Sequence, residues 1–407
     1  RLFIKYMYDD EEANEILEVV SQAAVVEGIF DREPAPDLSK PTIVFLHGIM
    51  GGHLATAPGN RSWLSFLKMP FTAFHDVLGL DAKGRDRYSL GPDGIVQLTY
   101  KRAIRQWRRK RFRVLEFSYD WRKPIEDSAD RLASFLEQEA RRSGDSRFVL
   151  VAHSMGGLVC SLYAHRHSRW RDYVEKAIFC GSPLGGSFAI SEILNGTNGA
   201  IRKLSAVSLW SSLEEMQAMG ASFPGAIQML PHPEIFPTAK DLYTRSVHPV
   251  FAQPTADWLM ASENVKPLLR NSPILGKTTM LVSLSHPTVG RVVYSNGQQS
   301  SDPEPVRGDG TVPGESAIVD GVTAYEVREK HGNLVIDPAS IEAIPYLING
   351  DPITLRPVGL EEAREPFAEE AVGLAPSADF SEEEKARIER MREGVPKASD
   401  VRWLLDN

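Results

Sequence analysis

The chain has 407 residues, 42% of them hydrophobic and 25% charged, with a formal net charge of −8 at pH 7. This is the composition of a globular protein with material for a sizeable core, and its acidic balance argues against wholesale nucleic-acid binding. No run of about 18 apolar residues occurs, so no transmembrane helix is expected.

The only two cysteines, Cys160 and Cys180, sit in apolar stretches and read as buried free thiols. That usage favours a reducing compartment, so a cytoplasmic location is expected. No basic segment followed by an apolar one marks the N-terminus as a secretory signal. The chain begins at Arg1 rather than Met, as a trimmed or processed chain would.

Taken in chain order, residues 10–27 predict a helix, acidic first and apolar later, and the three prolines in 31–41 predict a linker. The apolar run 41–47 predicts a strand buried on both faces. A second strand is expected at 114–119. A helix follows over 124–142, opened by Pro124 and closed by Gly144. Then come a strand at 148–152, a helix at 155–167 and a strand at 177–180. Strands alternating with helices imply βαβ units and a parallel sheet. The pattern breaks after Gly185 and resumes with strands at 279–283 and 323–327. Ser381 with Glu384 forms a capping box opening a charged C-terminal helix, which Gly394 and Pro396 would stop.

This divides the chain into an N-terminal helical extension and linker (1–40), an α/β core (41–186 and 276–350), a cap insertion (187–275) and a C-terminal helical extension (351–407). Residues 52–100 are expected to add a smaller lid.

Ala152-His153-Ser154-Met155-Gly156-Gly157 directly follows an apolar strand and directly precedes a helix. A serine on such a strand-to-helix turn has its hydroxyl presented above the sheet, and small neighbours let the backbone turn tightly. Ser154 is therefore the candidate nucleophile of an α/β-hydrolase fold. The N–H of Met155 is the first candidate oxyanion donor. The glycine-rich loop His47-Gly48-Ile49-Met50-Gly51-Gly52 supplies the second, assigned to Ile49 with Met50 as the alternative. His47 reads as a packing residue.

An acid and a base should follow the serine in that order. Asp309 lies within Gly308-Asp309-Gly310-Thr311-Val312-Pro313, and His331 follows the last expected core strand. His286, Asp120, Asp302 and Asp320 are weaker candidates, being out of order or lacking the glycine frame. Asp309 orienting His331, with His331 taking the proton of Ser154, completes a triad for attack on an ester carbonyl.

Together these segments make the chain similar to the lecithin:cholesterol acyltransferase-like enzymes, a family of α/β-hydrolases with phospholipase and acyltransferase members. The resemblance spans residues 41–350. It rests on the His47–Leu54 loop, Tyr119-Asp-Trp-Arg122, the elbow at 152–157, Gly181-Ser-Pro-Leu-Gly-Gly186, Phe223–Pro231, Gly308–Pro313 and His331. It implies acyl-ester substrates, often phospholipids, a cap near 187–275, and neither metal nor cofactor. Residues 50–75 hold no cysteine, whereas the family's secreted members close this lid with a disulfide. Met50, Trp63 and Leu184, beside these motifs, are candidates to contact substrate.

The expected function is thus a serine hydrolase or acyltransferase on lipid-type esters. The alternatives are hydrolysis of a non-lipid ester or amide on the same scaffold, and a non-catalytic scaffold domain. Eight Lys or Arg residues in 101–113 read as a solvated helix face, with contact to anionic lipid headgroups as the second reading. The apolar stretch from Trp63 to Phe74 reads equally as core or as a lid touching acyl chains. Peripheral membrane contact follows from the headgroup and lid readings and is carried as an alternative to a chain that works free of the membrane. His165 and His167 lie two apart on a helix and point different ways, which is poor spacing for a metal site.

Overall fold

The computed structural model describes residues 33–63, 71–291, 294–295, 298–299, 304–367, 380–393, 400 and 403–404. The helix expected over 10–27, Asp302 and the stop at Gly394 and Pro396 lie outside the described residues.

Seven strands form the main sheet: β1 (Thr42–Leu46), β2 (Val114–Phe117), β3 (Phe148–His153), β4 (Val174–Cys180), β5 (Thr278–Val282), β6 (Thr323–Glu326) and β7 (Pro357–Val358). Their spatial order is β7-β6-β5-β4-β3-β1-β2. Every pair is parallel except β6 with β7. Helices pack both faces, and this is an α/β-hydrolase fold.

Residue alternation explains the layering. Val44, Leu46, Leu150 and Ala152 join one hydrophobic cluster, while Ile43, Phe45, Val149 and Val151 join the other. Successive side chains point to opposite faces, so a strand covered on both sides needs an unbroken apolar run. On the first face lie α2 (Ile125–Ser143) and α3 (Met155–Arg166); on the second lie α1 (Gln97–Arg109) and α8 (Pro338–Asn349).

The chain leaves β1 for β2 on one side, then returns with β3 on the other side of β1. This is a topological switch point, and the crevice beyond the carboxyl ends of two diverging strands is where open α/β sheets bind ligands. Immediately after the ends of β1 and β3 come His47-Gly48 and Ser154.

Residues 52–100 hold a three-stranded antiparallel sheet of Gly52–Ala55, Arg61–Trp63 and Gly91–Ile95, with a short helix at Phe74–Leu78. Trp63 and Phe74 are core, whereas Phe71 is 62% exposed. The basic run lies on α1 and its end. Tyr100, Ala103, Ile104 and Trp107 of this helix are buried, and Lys101, Arg102 and Arg109 are exposed.

Between β4 and β5 the chain is helical, with α4 (Ala189–Asn195), α5 (Gly199–Val207), α6 (Leu213–Ala221) and α7 (Ala256–Arg270). Several side chains tie this segment to the core, among them Arg270, which donates to the carbonyls of Ser316 and Ile318, and Gln228. Gln228 Oε1 accepts the Ile125 N–H at 2.8 Å, and its Nε2 donates to Glu126. It thereby caps α2, whose own flanking residue Pro124 has no capping side chain.

The Gln228 carbonyl in turn accepts from the ammonium of Lys266, a wholly buried residue of α7. Burial pushes the Lys266 ammonium from 10.5 down to about 7. The folded state therefore binds this proton less readily than the unfolded chain. The resulting destabilisation starts as pH falls below about 10.5, grows to about pH 7 and is constant below that. Lys266→Met is expected to stabilise the protein by about 3 kcal/mol at neutral pH. Thermal melts at intervals from pH 6 upward check this, since the gain should shrink steadily above pH 7.

Cys160 and Cys180 are free and fully buried, and burial raises both thiols. The C-terminal capping box forms, opening α9 (Glu382–Arg392).

Candidate active site

Ser154 stands between β3 and α3 at φ 53° and ψ −123°, a left-handed conformation that costs a non-glycine residue about 1–3 kcal/mol. The surroundings hold it there. The Ser154 N–H donates to the Cys180 carbonyl at 2.9 Å. A Cβ on Gly156 would lie 2.9 Å from the His47 oxygen and from the Leu46 Cβ, and one on Gly157 would collide with the Ser182 side chain. Both glycines let α3 lie close against the sheet.

Asp309 follows a strand at Glu304–Gly308 paired antiparallel with His286–Arg291. One carboxylate oxygen, Oδ1, accepts the N–H groups of Thr311 at 2.9 Å and Val312 at 2.6 Å. The other, Oδ2, accepts from His331 Nδ1 at 2.7 Å. His331 Nε2 lies 2.9 Å from Ser154 Oγ. The His331 N–H also donates to the Asp309 carbonyl at 2.9 Å, so backbone as well as side chain fixes the pair.

The three residues are 4%, 2% and 8% exposed for Ser154, Asp309 and His331. Gly181 makes this closeness feasible. At φ 59° its absent Cβ would sit 3.0 Å from Asp309 Oδ2 and 3.1 Å from His331 Nδ1.

The loop after β1 is fastened by aromatic donors. Tyr119 Oη donates to the His47 carbonyl at 2.6 Å, Trp63 Nε1 to that of Met50 at 2.9 Å, and Trp121 Nε1 to that of Gly52 at 3.1 Å. Met50 itself holds φ 62°. Among the described residues, no hydrogen bond occupies the N–H of Ile49 or Met155. A Cβ on Gly48 would lie 2.9 Å from Ser154 Cβ, so this loop passes directly over the serine.

His47 stacks on Tyr119 at 4.2 Å, and burial lowers its imidazole to about 4. It is a packing residue.

The structure therefore brings Ser154, His331 and Asp309 together and sets Ile49 and Met155 around them. The three residues expected to contact substrate divide. Met50 is partly exposed on the loop. Trp63 is 1% exposed and Leu184 is fully buried. The Trp63 indole turns into the core to hold the Met50 carbonyl, packing against Trp121 and Phe74.

The weaker candidates lie elsewhere. Asp120 pairs with Arg122, Asp320 sits in an exposed turn, and the His286 backbone pairs beside Asp309. Among the described residues, no cluster of three or more His, Cys, Asp or Glu could hold a metal ion.

A match to a protein family includes this elbow. The description "Lecithin:cholesterol acyltransferase" fits residues 104–272, which include Tyr119–Arg122 and the turn at Ser154. Over that stretch the chain matches the lecithin:cholesterol acyltransferase family. The resemblance read from the motifs is thereby shown for the central segment. Lecithin-cholesterol acyltransferase-like 4 of Arabidopsis thaliana is 32% identical over 85 residues, 20% of this chain and 16% of that protein's length. The chain thus spans about a sixth of this curated relative.

Among solved structures, the mature form of a Bacillus licheniformis lipase aligns over 77% of this chain and 95% of its own, at 15% identity and a TM-score of 0.40. A bacterial membrane phospholipase A aligns over 78% and 81%, at 14% identity and a TM-score of 0.32. The match to the acyltransferase family ends before Asp309 and His331, whose placement comes from the geometry above.

Proposed function

We propose that the chain is a serine hydrolase or acyltransferase of lipid-type acyl esters. The observation that carries this reading is the unbroken chain from Ser154 Oγ through His331 to Asp309, at 2.9 and 2.7 Å. In it His331 Nε2 takes the hydroxyl proton as Ser154 Oγ bonds to the ester carbonyl carbon. Asp309 keeps the other imidazole proton on Nδ1 and stabilises the imidazolium. The N–H groups of Ile49 and Met155 receive the oxyanion, each donor contributing roughly 3–4 kcal/mol. His331 then protonates the leaving alcohol, and water or a second alcohol, deprotonated by His331, takes the acyl group from Ser154.

Support for a lipid substrate comes from the family match and from the surface. Phe71, Leu209 and Trp210 are 62%, 52% and 64% exposed. Their backbones are held side by side, since Ser208 Oγ donates to the Thr72 carbonyl and Phe74 N–H to Ser211 Oγ. Such an apolar edge suits peripheral contact with a lipid surface.

A fluorophosphonate should label the wild type and leave Ser154→Ala unlabelled; a folded wild type that resists the probe overturns the catalytic reading. Hydrolysis of p-nitrophenyl palmitate should exceed that of the acetate, and a strong preference for acetate would turn the assignment to a non-lipid esterase. Trp210→Glu is expected to weaken sedimentation with phosphatidylcholine vesicles several-fold while leaving hydrolysis of soluble esters unchanged.

A further inference from the structure

A buried tyrosine on α1 lies under the loop that crosses the serine. Tyr100 is 2% exposed. Its hydroxyl accepts the Gly48 N–H at 3.2 Å, and a Cβ on Gly51 would lie 2.7 Å from it. The hydroxyl thus sits inside the arc of residues 48–51, and a side chain at 51 would displace it. The same hydroxyl lies 3.0 Å from His153 Nδ1. His153 Nε2 lies 3.0 Å from the His331 carbonyl.

These contacts fix every proton. A carbonyl only accepts, so His153 carries its proton on Nε2 and Nδ1 is an acceptor. Tyr100 then donates to Nδ1 and accepts from Gly48. Burial keeps the His153 ring neutral, lowering it to about 3, so the single-proton tautomer is the one present. The path runs Gly48 N–H to Tyr100 Oη, Tyr100 O–H to His153 Nδ1, and His153 Nε2–H to the His331 carbonyl.

We infer that Tyr100 and His153 are positioning residues that lock the loop bearing the Ile49 N–H to the backbone of His331, in register with Ser154. The His153 ring packs beside the His331 imidazole, 5.0 Å between centroids, but its hydrogen bonds go to Tyr100 and the His331 carbonyl and not to a reacting atom. Gly48 precedes the oxyanion donor, and His331 carries the base, so Tyr100 and His153 link directly two halves of the machinery that follow β1 and β6, strands not adjacent in the sheet. Looseness of either half misplaces donors that act only on the transition state, which lowers kcat and leaves KM almost unchanged. The inference rests on the catalytic reading above.

The test uses the full chain and p-nitrophenyl butyrate, with active sites counted by fluorophosphonate titration. Tyr100→Phe keeps the ring against Phe45 and removes only the hydroxyl. It is expected to lower kcat about tenfold to a hundredfold with KM within about twofold. His153→Gln can still donate one hydrogen bond and accept another, and should retain more activity than His153→Leu. Because the two residues act along one path, Tyr100→Phe combined with His153→Leu should be no worse than His153→Leu alone.

A wild-type kcat in Tyr100→Phe, or losses that multiply in the double variant, overturns the inference while labelling at Ser154 leaves the catalytic reading intact. Equal activity of the Gln and Leu variants at 153 also overturns it, by showing that the hydrogen bonds are immaterial. An unlabelled wild type removes both readings together.

Discussion

Ser154→Ala is expected to lower kcat on a soluble ester by about six orders of magnitude, and Asp309→Asn by about four. The first change removes the atom that bonds to the acyl carbon. The second works through a proton. Asp309 Oδ1 accepts two backbone N–H groups, from Thr311 and Val312. An asparagine must keep its oxygen there, which turns its amide nitrogen towards His331 Nδ1. Two donors cannot share that contact, so the imidazole moves its proton to Nε2. Nε2 then points a proton at Ser154 Oγ, where a lone pair is required. The fold should be unaltered, since the amide fills the same space. Combining Ser154→Ala with His331→Ala should cost little more than Ser154→Ala alone, because neither residue works without the other. Steady-state rates on enzyme verified by circular dichroism check all three variants. An Asp309→Asn enzyme within tenfold of wild type would show that the 2.7 Å contact has no part in turnover.

How much of this site a sequence can show depends on what each residue's neighbours reveal. Ser154, Asp309 and His331 are legible because each comes after a strand and has glycine close by, at 156–157, at 308 and 310, and at 332, a pattern that packing alone seldom demands. Tyr100 was not. It shares a helix face with Ala103, Ile104 and Trp107, so its spacing announces a core position and nothing about its hydroxyl. His153 entered only as part of the elbow; its ring contacts come from residues 53 and 178 positions away. Gly181 was visible only within a family stretch, and its purpose depends on φ and on two side chains far along the chain. Trp63 shows the converse difficulty. An indole beside a catalytic loop reads equally as wall or as wedge, and only the bond from Nε1 to the Met50 carbonyl decides.

The fold divides similarly. The parallel strands were legible from their apolar runs, and α2 within one residue at each end. The strand pair leading into Asp309 was not, since Pro287 and Pro305 interrupt it and proline weakens any strand signal. β7 is two residues long and carries no pattern.

Tyr119-Asp120-Trp121-Arg122 was read as a family signature, and the structure gives it a mechanical purpose that a second large effect should expose. Arg122 is completely buried. Its guanidinium meets Asp120 through Nε at 2.9 Å and Nη2 at 2.7 Å, meets Asp86 through Nη2 at 3.0 Å, and donates from Nη1 to the Leu78 carbonyl at 2.9 Å. Asp86 in turn accepts the N–H groups of Tyr88 and Leu90. Arg122 therefore organises the connection from Leu78 to Leu90, assisted by Lys123, whose ammonium donates to the Gly84 carbonyl and lies 3.9 Å from Asp86. Removing it leaves two carboxylates with little water to solvate them, Asp86 at 3% and Asp120 at 11% side-chain exposure. Breaking one partner out of such a buried group costs about 3–5 kcal/mol.

Arg122→Met is accordingly expected to lower the melting temperature by about 5 °C, given an unfolding entropy near 2.1 cal/mol/K per residue. Activity should fall as well, because the neighbouring Trp121 and Tyr119 hold the carbonyls of Gly52 and His47. Adding Asp86→Asn to Arg122→Met should recover part of the stability, since the surplus charge rather than the lost contact is the larger cost. Calorimetry of the two single variants and the double one measures that coupling. A single variant melting with the wild type would mean that water reaches these carboxylates and that the tetrapeptide holds the loop through its aromatic residues alone.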